Sequence, residues 1–314
     1  MNTGWEKRGI CWVPKGLQKV PRHPESREWF YGRIVARLVK GLLRAQAIEL
    51  TVEGSENVPA QGSALLAINH TGYYDFIFSG AAANLRGGRL TRFMAKKEIF
   101  DVPVVGKLVR LMKHIPVNRA AGAGALDAAI KHLQQGQLVG IFPEGTISRS
   151  LEIKELKSGA VRIAQQANAP LIPVAVWGSQ RVWTKGLKRD IGRSHIPVWI
   201  WIGPPVSLEG TVEEATQRLR EAMIELLDGA RAEYEKAYGP FAGGERGGLP
   251  RWEVLRLPWK KPHVLMQNSG VFARRRKLRN RNKSLLAFDA QVGSLFPLPT
   301  WALCMALPPW LIKP

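Results

Sequence analysis

Between residues 25 and 47 apolar side chains recur at helical steps. Phe30, Ile34, Leu38 and Leu42 fall four apart, reinforced by Trp29, Val35 and Val39. Arg33, Arg37, Lys40 and Arg44 fall on a neighbouring face, so the segment predicts a basic amphipathic helix. Charges interrupt it too often for a membrane span. Two uses suit such a helix: lying flat on an anionic membrane, or packing on the body of its own domain.

Beyond it, short apolar runs alternate with helical ones. Residues 50–52, 64–68, 92–95, 138–142, 171–177 and 198–202 predict strands, and residues 75–85, 104–112, 121–135 and 157–168 predict helices. Thr211 and Glu214 form a capping box that opens a long amphipathic helix reaching about Tyr238. Strands alternating with helices predict an α/β fold: a mostly parallel sheet flanked by helices, preceded by the basic amphipathic N-terminal helix. The expected organisation is an irregular N-terminus plus amphipathic helix over 1–47, an α/β domain over 48–240, and a basic, proline-containing, poorly ordered tail over 241–314.

Charge adds a partner. The 314 residues carry a net charge of +21, which calls for something anionic: nucleic acid, an acidic membrane face or a phosphorylated substrate. From Glu245 onward, 13 Lys and Arg face only Glu245, Glu253 and Asp289, and residues 274–283 form a dense basic run. Residues 290–312 are uncharged, but Pro297, Pro299, Pro308 and Pro309 weaken them as a spanning helix. The tail carries no nucleic-acid recognition motif, and acidic membrane lipid accounts for the same charge. Cys11 and Cys304 make neither a disulfide framework nor a metal-ligand cluster, so a reduced cytoplasmic setting is expected. Residues 1–16 hold no continuous apolar run of the kind a secretory signal needs.

Four local patterns could carry chemistry. In the first, Asn69-His70-Thr71-Gly72-Tyr73-Tyr74-Asp75 follows a predicted strand and runs into a helix. A carboxylate in the first helical turn can reach the imidazole, fix its tautomer and favour imidazolium, leaving the other ring nitrogen to take a proton from a hydroxyl. The plainer alternative is a capping Asp beside an ordinary turn His. In the second, Ile115-Pro116-Val117-Asn118-Arg119 places an Arg after a short strand, where its planar fork suits a phosphate or simply solvent. In the third, Phe142-Pro143-Glu144-Gly145-Thr146 follows another apolar strand; Gly145 lets backbone amides approach a phosphate, while Glu144 suits a hydroxyl or a basic neighbour. In the fourth, Leu171-Ile172-Pro173-Val174-Ala175-Val176 reads by itself as a buried strand.

Taken in this order over residues 48–206, the four patterns resemble the glycerolipid acyltransferase family, whose bacterial members include 1-acylglycerol-3-phosphate acyltransferases. The resemblance implies His70 as general base with Asp75 as its partner. It implies Arg119, Glu144, Gly145 and Thr146 as contacts to a phosphorylated glycerol acceptor, lysophosphatidic acid above all. The acyl donor implied is acyl-CoA or acyl carrier protein, a co-substrate; no cofactor or metal is implied. The setting implied is peripheral, on the cytoplasmic face of the cell membrane, against acidic lipid. The chain departs from the family pattern at Gly72, where Ser is frequent, at Pro116, Asn118 and Ile147, with Arg149 two residues further on. These departures leave other acceptors open: glycerol 3-phosphate, a glycolipid or an aminolipid. A non-catalytic basic protein that binds lipid or nucleic acid is the rival class.

Overall fold

The computed structural model describes residues 4–118 and 123–238; Arg119 and the basic tail lie outside them. Nine strands form one mixed sheet flanked by helices. They are β1 (Trp5–Arg8), β2 (Cys11–Pro14), β3 (Glu49–Glu53), β4 (Ala64–Ile68), β5 (Thr91–Lys96), β6 (Ile115–Val117), β7 (Leu138–Ile141), β8 (Leu171–Trp177) and β9 (Pro197–Ile202). Their spatial order is β1-β2-β3-β9-β8-β4-β7-β5-β6. The five strands from β8 to β6 run parallel. β9 turns antiparallel to β8, and β3 and β2 follow the direction of β9.

The helices are α1 (Ala36–Ala45), α2 (Asp75–Ala83), α3 (Lys97–Phe100), α4 (Val105–Leu111), α5 (Ala123–Gln134), α6 (Gly159–Ala167), α7 (Ser179–Val182) and α8 (Val212–Tyr238). Period-two alternation splits the central strands between two cores. Leu66 and Ile68 of β4, with Ile172, Val174 and Val176 of β8, pack on the α2 side. Leu65, Ala67, Leu171, Ala175 and Trp177 face the side covered by α5, α6 and α8. Strands β4 and β8 are buried throughout, as strands covered on both faces must be. The capping box forms as expected: the Thr211 N–H donates to Glu214 at 2.8 Å, and the Glu214 N–H donates to the Thr211 hydroxyl at 3.2 Å.

Two parts differ from expectation. Residues 5–14, expected to be irregular, form a hairpin that extends the sheet beyond β3. Cys11 and Val13 alternate inward, Trp5 packs edge-on against Trp199, and Gly9 supplies the positive φ of the turn.

The N-terminal helix, expected as one regular element, changes pitch. A 3-10 turn at Pro24–Arg27 leads into a π-helical stretch at Trp29–Val35 and then into α1. The Arg33 N–H donates five residues back to Glu28 O at 2.9 Å. Two ion pairs fix where the helix starts. Arg89, fully buried, binds Glu25 at 3.2 Å and the carbonyls of Gly62 and Gly136 at 2.7 Å each; Arg92, also fully buried, pairs with Glu28. Gly32 permits the packing, since a Cβ there would sit 2.7 Å from the carbonyl oxygen of Ser26. Trp29 and Leu38 remain 64% and 66% exposed, Arg33, Arg37 and Arg44 are exposed beside them, and the span from Trp29 to Ala45 contains no acid. Among the described residues, no helix is long and apolar enough to cross a membrane.

Candidate active site

The parallel strands place the candidate residues. β4, β7 and β8 are neighbours, so the turns leaving their C-terminal ends meet at one edge of the sheet, where open α/β sheets hold their ligands. The turn after β4 carries His70, and the turn after β7 carries Phe142 to Thr146. β6 ends at Val117 near the same edge, and the expected contact Arg119 lies outside the described residues.

Asp75 opens α2 and is completely buried. Its Oδ2 lies 3.0 Å from His70 Nδ1 and accepts the N–H groups of Thr71 and Gly72, each at 2.8 Å. The same oxygen therefore ties together the turn that precedes α2 and reaches the imidazole; the N–H groups it accepts belong to that turn and not to the first turn of the helix, as a capping Asp would take them. Three donors on a buried carboxylate compensate its desolvation. The imidazole stacks on Phe142 with centroids 4.3 Å apart, and its side chain keeps 21% exposure. With Nδ1 engaged by Asp75, Nε2 is the nitrogen left for a substrate hydroxyl.

Glu144 is buried, and its carboxylate bridges two loops. It accepts the backbone N–H of His70 at 2.8 Å and that of Lys154 at 3.3 Å. Burial pushes its carboxyl above the usual range, against the pull of those two N–H groups. The Ser148 N–H returns to His70 O at 2.7 Å, so the two turns hold each other from both sides. Gly145 has φ +72°, and its N–H closes the turn on Phe142 O at 2.9 Å. Lys154 Nζ donates to Thr146 O at 2.6 Å, to Thr146 Oγ1 at 2.7 Å and to Ile147 O at 3.3 Å. Burial draws its ammonium below the usual lysine range. The structure thus joins His70, Asp75, Glu144, Gly145 and Thr146 in one place.

Residues beyond the four patterns complete the site. Lys154 shapes the third turn, and the segment after β8 wraps the first. The signal available in the sequence was position: Ser179 stands two residues past the end of a buried parallel strand, at the same edge as His70. A separate apolar cleft, lined by Tyr31, Val35, Val39, Phe76 and Ile77 among others, lies between the N-terminal helix and α2. Among the described residues, no group of three or more His, Cys, Asp or Glu is placed to hold a metal ion.

The profile of the family described as Acyltransferase matches residues 49–177. The chain is 35% identical over 179 residues to the 1-acyl-sn-glycerol-3-phosphate acyltransferase of Bacillus subtilis (strain 168), covering 54% of this chain and 86% of that protein. This chain belongs to the acyltransferase family. A 1-acyl-sn-glycerol-3-phosphate acyltransferase of Borreliella burgdorferi is 27% identical over 200 residues, covering 60% of this acyltransferase and 76% of the relative. The fold is similar to that of the crystal structure of the 1-acyl-sn-glycerophosphate (LPA) acyltransferase PlsC from Thermotoga maritima. The TM-score is 0.53 at 24% identity, over 68% of this chain and 83% of that one. The segment matched by the family profile contains His70, Asp75 and the Glu144 turn, and it ends at Trp177, short of Ser179.

Proposed function

We propose that this acyltransferase moves a fatty acyl group from the thioester of acyl-CoA or acyl carrier protein to the free hydroxyl of lysophosphatidic acid, giving phosphatidic acid. The observation that carries the reading is the buried Asp75 carboxylate 3.0 Å from Nδ1 of a partly exposed His70. The acceptor hydroxyl gives its proton to His70 Nε2 as its oxygen attacks the thioester carbonyl. The C–S bond then breaks, and the departing sulfur takes the proton from the imidazolium, leaving an ester and a free thiol. Asp75 stabilises the imidazolium between those steps. Arg119, Gly145 and Thr146 form the acceptor-phosphate contacts, and Glu144 holds His70 in place through its backbone. The names of the relatives from Bacillus subtilis and Borreliella burgdorferi support the choice of acceptor.

In this reading the enzyme works peripherally on the cytoplasmic face of the membrane, with the exposed face of residues 29–45 against acidic lipid. The test is thiol release from palmitoyl- or oleoyl-CoA by the purified full chain, offered lysophosphatidic acid and, separately, glycerol 3-phosphate, alongside His70→Ala. Release that depends on lysophosphatidic acid and falls by ~10²–10⁴ in the variant is expected. Turnover that survives His70→Ala in a folded protein overturns the assignment of the base. Turnover with glycerol 3-phosphate but not lysophosphatidic acid overturns the acceptor.

A further inference from the structure

The segment that follows β8 encloses the turn that carries His70. Asn69 is bonded to Val176 in both directions, its Nδ2 donating to Val176 O at 3.1 Å and its Oδ1 accepting the Val176 N–H at 2.7 Å. The Tyr73 N–H donates to Trp183 O at 2.9 Å, and the Thr184 hydroxyl donates to Thr71 O at 2.6 Å. These bonds fix backbone. Ser179 does something else: its hydroxyl donates to Asp75 Oδ1, the carboxylate oxygen that the His70 turn leaves unused. Both residues are completely buried, so water has no access to replace that donor.

The approach is close because residue 72 has no side chain. A Cβ on Gly72 would sit 2.6 Å from the Ser179 hydroxyl oxygen and 3.0 Å from the Ser179 carbonyl group. The space that a side chain at 72 would fill is filled instead by a hydroxyl from across the sheet.

We propose that Ser179 is a positioning residue for acyl transfer, holding the Asp75 carboxylate in the rotation that directs Oδ2 at His70 Nδ1 and moderating its negative charge. This rests on the reading of His70 as the base. The terminal torsion of an Asp side chain is broad, so a carboxylate held along one edge can rock. A donor on Oδ1 holds the other edge. The same donor draws charge from the carboxylate, so its loss leaves a more basic carboxylate and a more readily protonated imidazole. Ser179 is buried behind Asp75, so its loss should alter the chemical step and spare both Michaelis constants. Glu144, whose carboxylate also interacts with His70, is untouched by a change at Ser179.

The experiment compares S179A, S179C and T184V with the natural chain. Thr184→Val is the structural control, because it removes a buried hydroxyl from the same turn without touching the carboxylate. The readouts are kcat/KM against pH and the titration of the His70 ring nitrogens by ¹⁵N NMR. Ser179→Ala is expected to lower kcat by about tenfold, the scale of one hydrogen bond to a charged group, with little change in KM. It is also expected to move the acid limb, and the ring titration, to higher pH. Ser179→Cys, with its weak S–H donor, should fall between, and it keeps the test open if the Ala variant does not fold. Thr184→Val should lower thermal stability and leave both pH profiles in place. Profiles for S179A and S179C that superpose on the natural one, or an equal shift in T184V, overturn the proposal. The NMR titration needs no turnover. A natural chain that fails to release thiol with any acceptor, yet shows the S179A shift, would therefore sink the catalytic reading and leave the Ser179–Asp75–His70 coupling standing.

Discussion

The carboxylate of Glu144 accepts the backbone N–H of His70 at 2.8 Å, across 74 residues of sequence. The third pattern therefore reaches the first through a main-chain bond, and Glu144 behaves as a strut between two turns. Its removal leaves the N–H groups of two half-buried residues without that acceptor, at up to about 1–3 kcal/mol each. Glu144→Ala is expected to lose several kcal/mol in urea unfolding and to lower kcat more than it raises the acceptor KM. Glu144→Gln retains one carbonyl acceptor and sets its amide against the other N–H, so it should lie between. A Glu144→Ala protein of natural stability with only a raised acceptor KM would make Glu144 a direct substrate ligand instead.

How much of this was legible in the sequence depends on the range of each interaction. β4, β8 and α8 were readable because their signals are local: unbroken apolar runs, and a capping box three residues wide. His70 and Asp75 were readable because a strand-to-helix turn brings them together within five residues. Ser179 lies 104 residues from Asp75, and only the neighbouring placement of β4 and β8 brings them into contact. The hairpin at residues 5–14 was missed because its strands are four residues each and one is mostly charged; its pairing with β3 supplies what local pattern does not. The pitch change near Trp29 was missed for a similar reason, since Glu25 and Glu28 are held by Arg89 and Arg92 more than sixty residues away.

His114 should make the protein acid-sensitive. It is buried against Phe93, Tyr31 and Arg92, and its Nδ1 accepts the Phe93 N–H at 3.1 Å. Burial pushes its pKa from 6.5 down to about 3, with the Arg92 charge adding to the effect. The folded pKa lies below the unfolded one, so this stability is complete above pH 6.5 and drains as pH falls toward 3. At pH 5 the loss relative to pH 7 is about 2 kcal/mol. His114→Asn keeps an acceptor near the Nδ1 position and cannot titrate. The slope of unfolding free energy between pH 7 and pH 5 should flatten in that variant, and parallel slopes would rule the residue out.

The ion pairs at the base of the N-terminal helix should be costly to break singly. Arg89 is fully buried, and Glu25 is its one carboxylate partner among the described residues; the Glu25 carboxylate also takes the Leu90 N–H at 2.9 Å. Glu25→Ala strands a buried guanidinium, and such losses run at about 3–5 kcal/mol. Denaturant unfolding should show that loss, together with faster amide exchange in residues 29–45. A loss below about 1 kcal/mol would mean that the carbonyls of Gly62 and Gly136 suffice for Arg89.

Membrane attachment should follow the exposed face of the same helix. On the proposed membrane reading Arg33 and Arg37 would each contribute about 1 kcal/mol near an anionic surface, so replacing both with Gln should weaken binding to phosphatidylglycerol vesicles by roughly thirtyfold. Trp29→Ala should weaken it further, and salt should reverse most of the arginine contribution. Equal binding of the natural chain to neutral and acidic vesicles would refute the electrostatic part of this account.

The π-helical stretch at Trp29–Val35 also sets which accidents of heredity the helix can absorb. A turn closed by a bond to the fifth residue holds one residue more than an α-turn. Loss of a single codon within that stretch can be taken up by tightening to α pitch, keeping the phase between the anchoring glutamates upstream and the buried Leu43 downstream. The same loss within Ala36–Ala45 has no spare residue to draw on. It would rotate everything beyond it by about a hundred degrees, carrying Leu43 out of the core and arginines into it. Small deletions among relatives of this chain should therefore collect in the first two turns of the helix and avoid the last two.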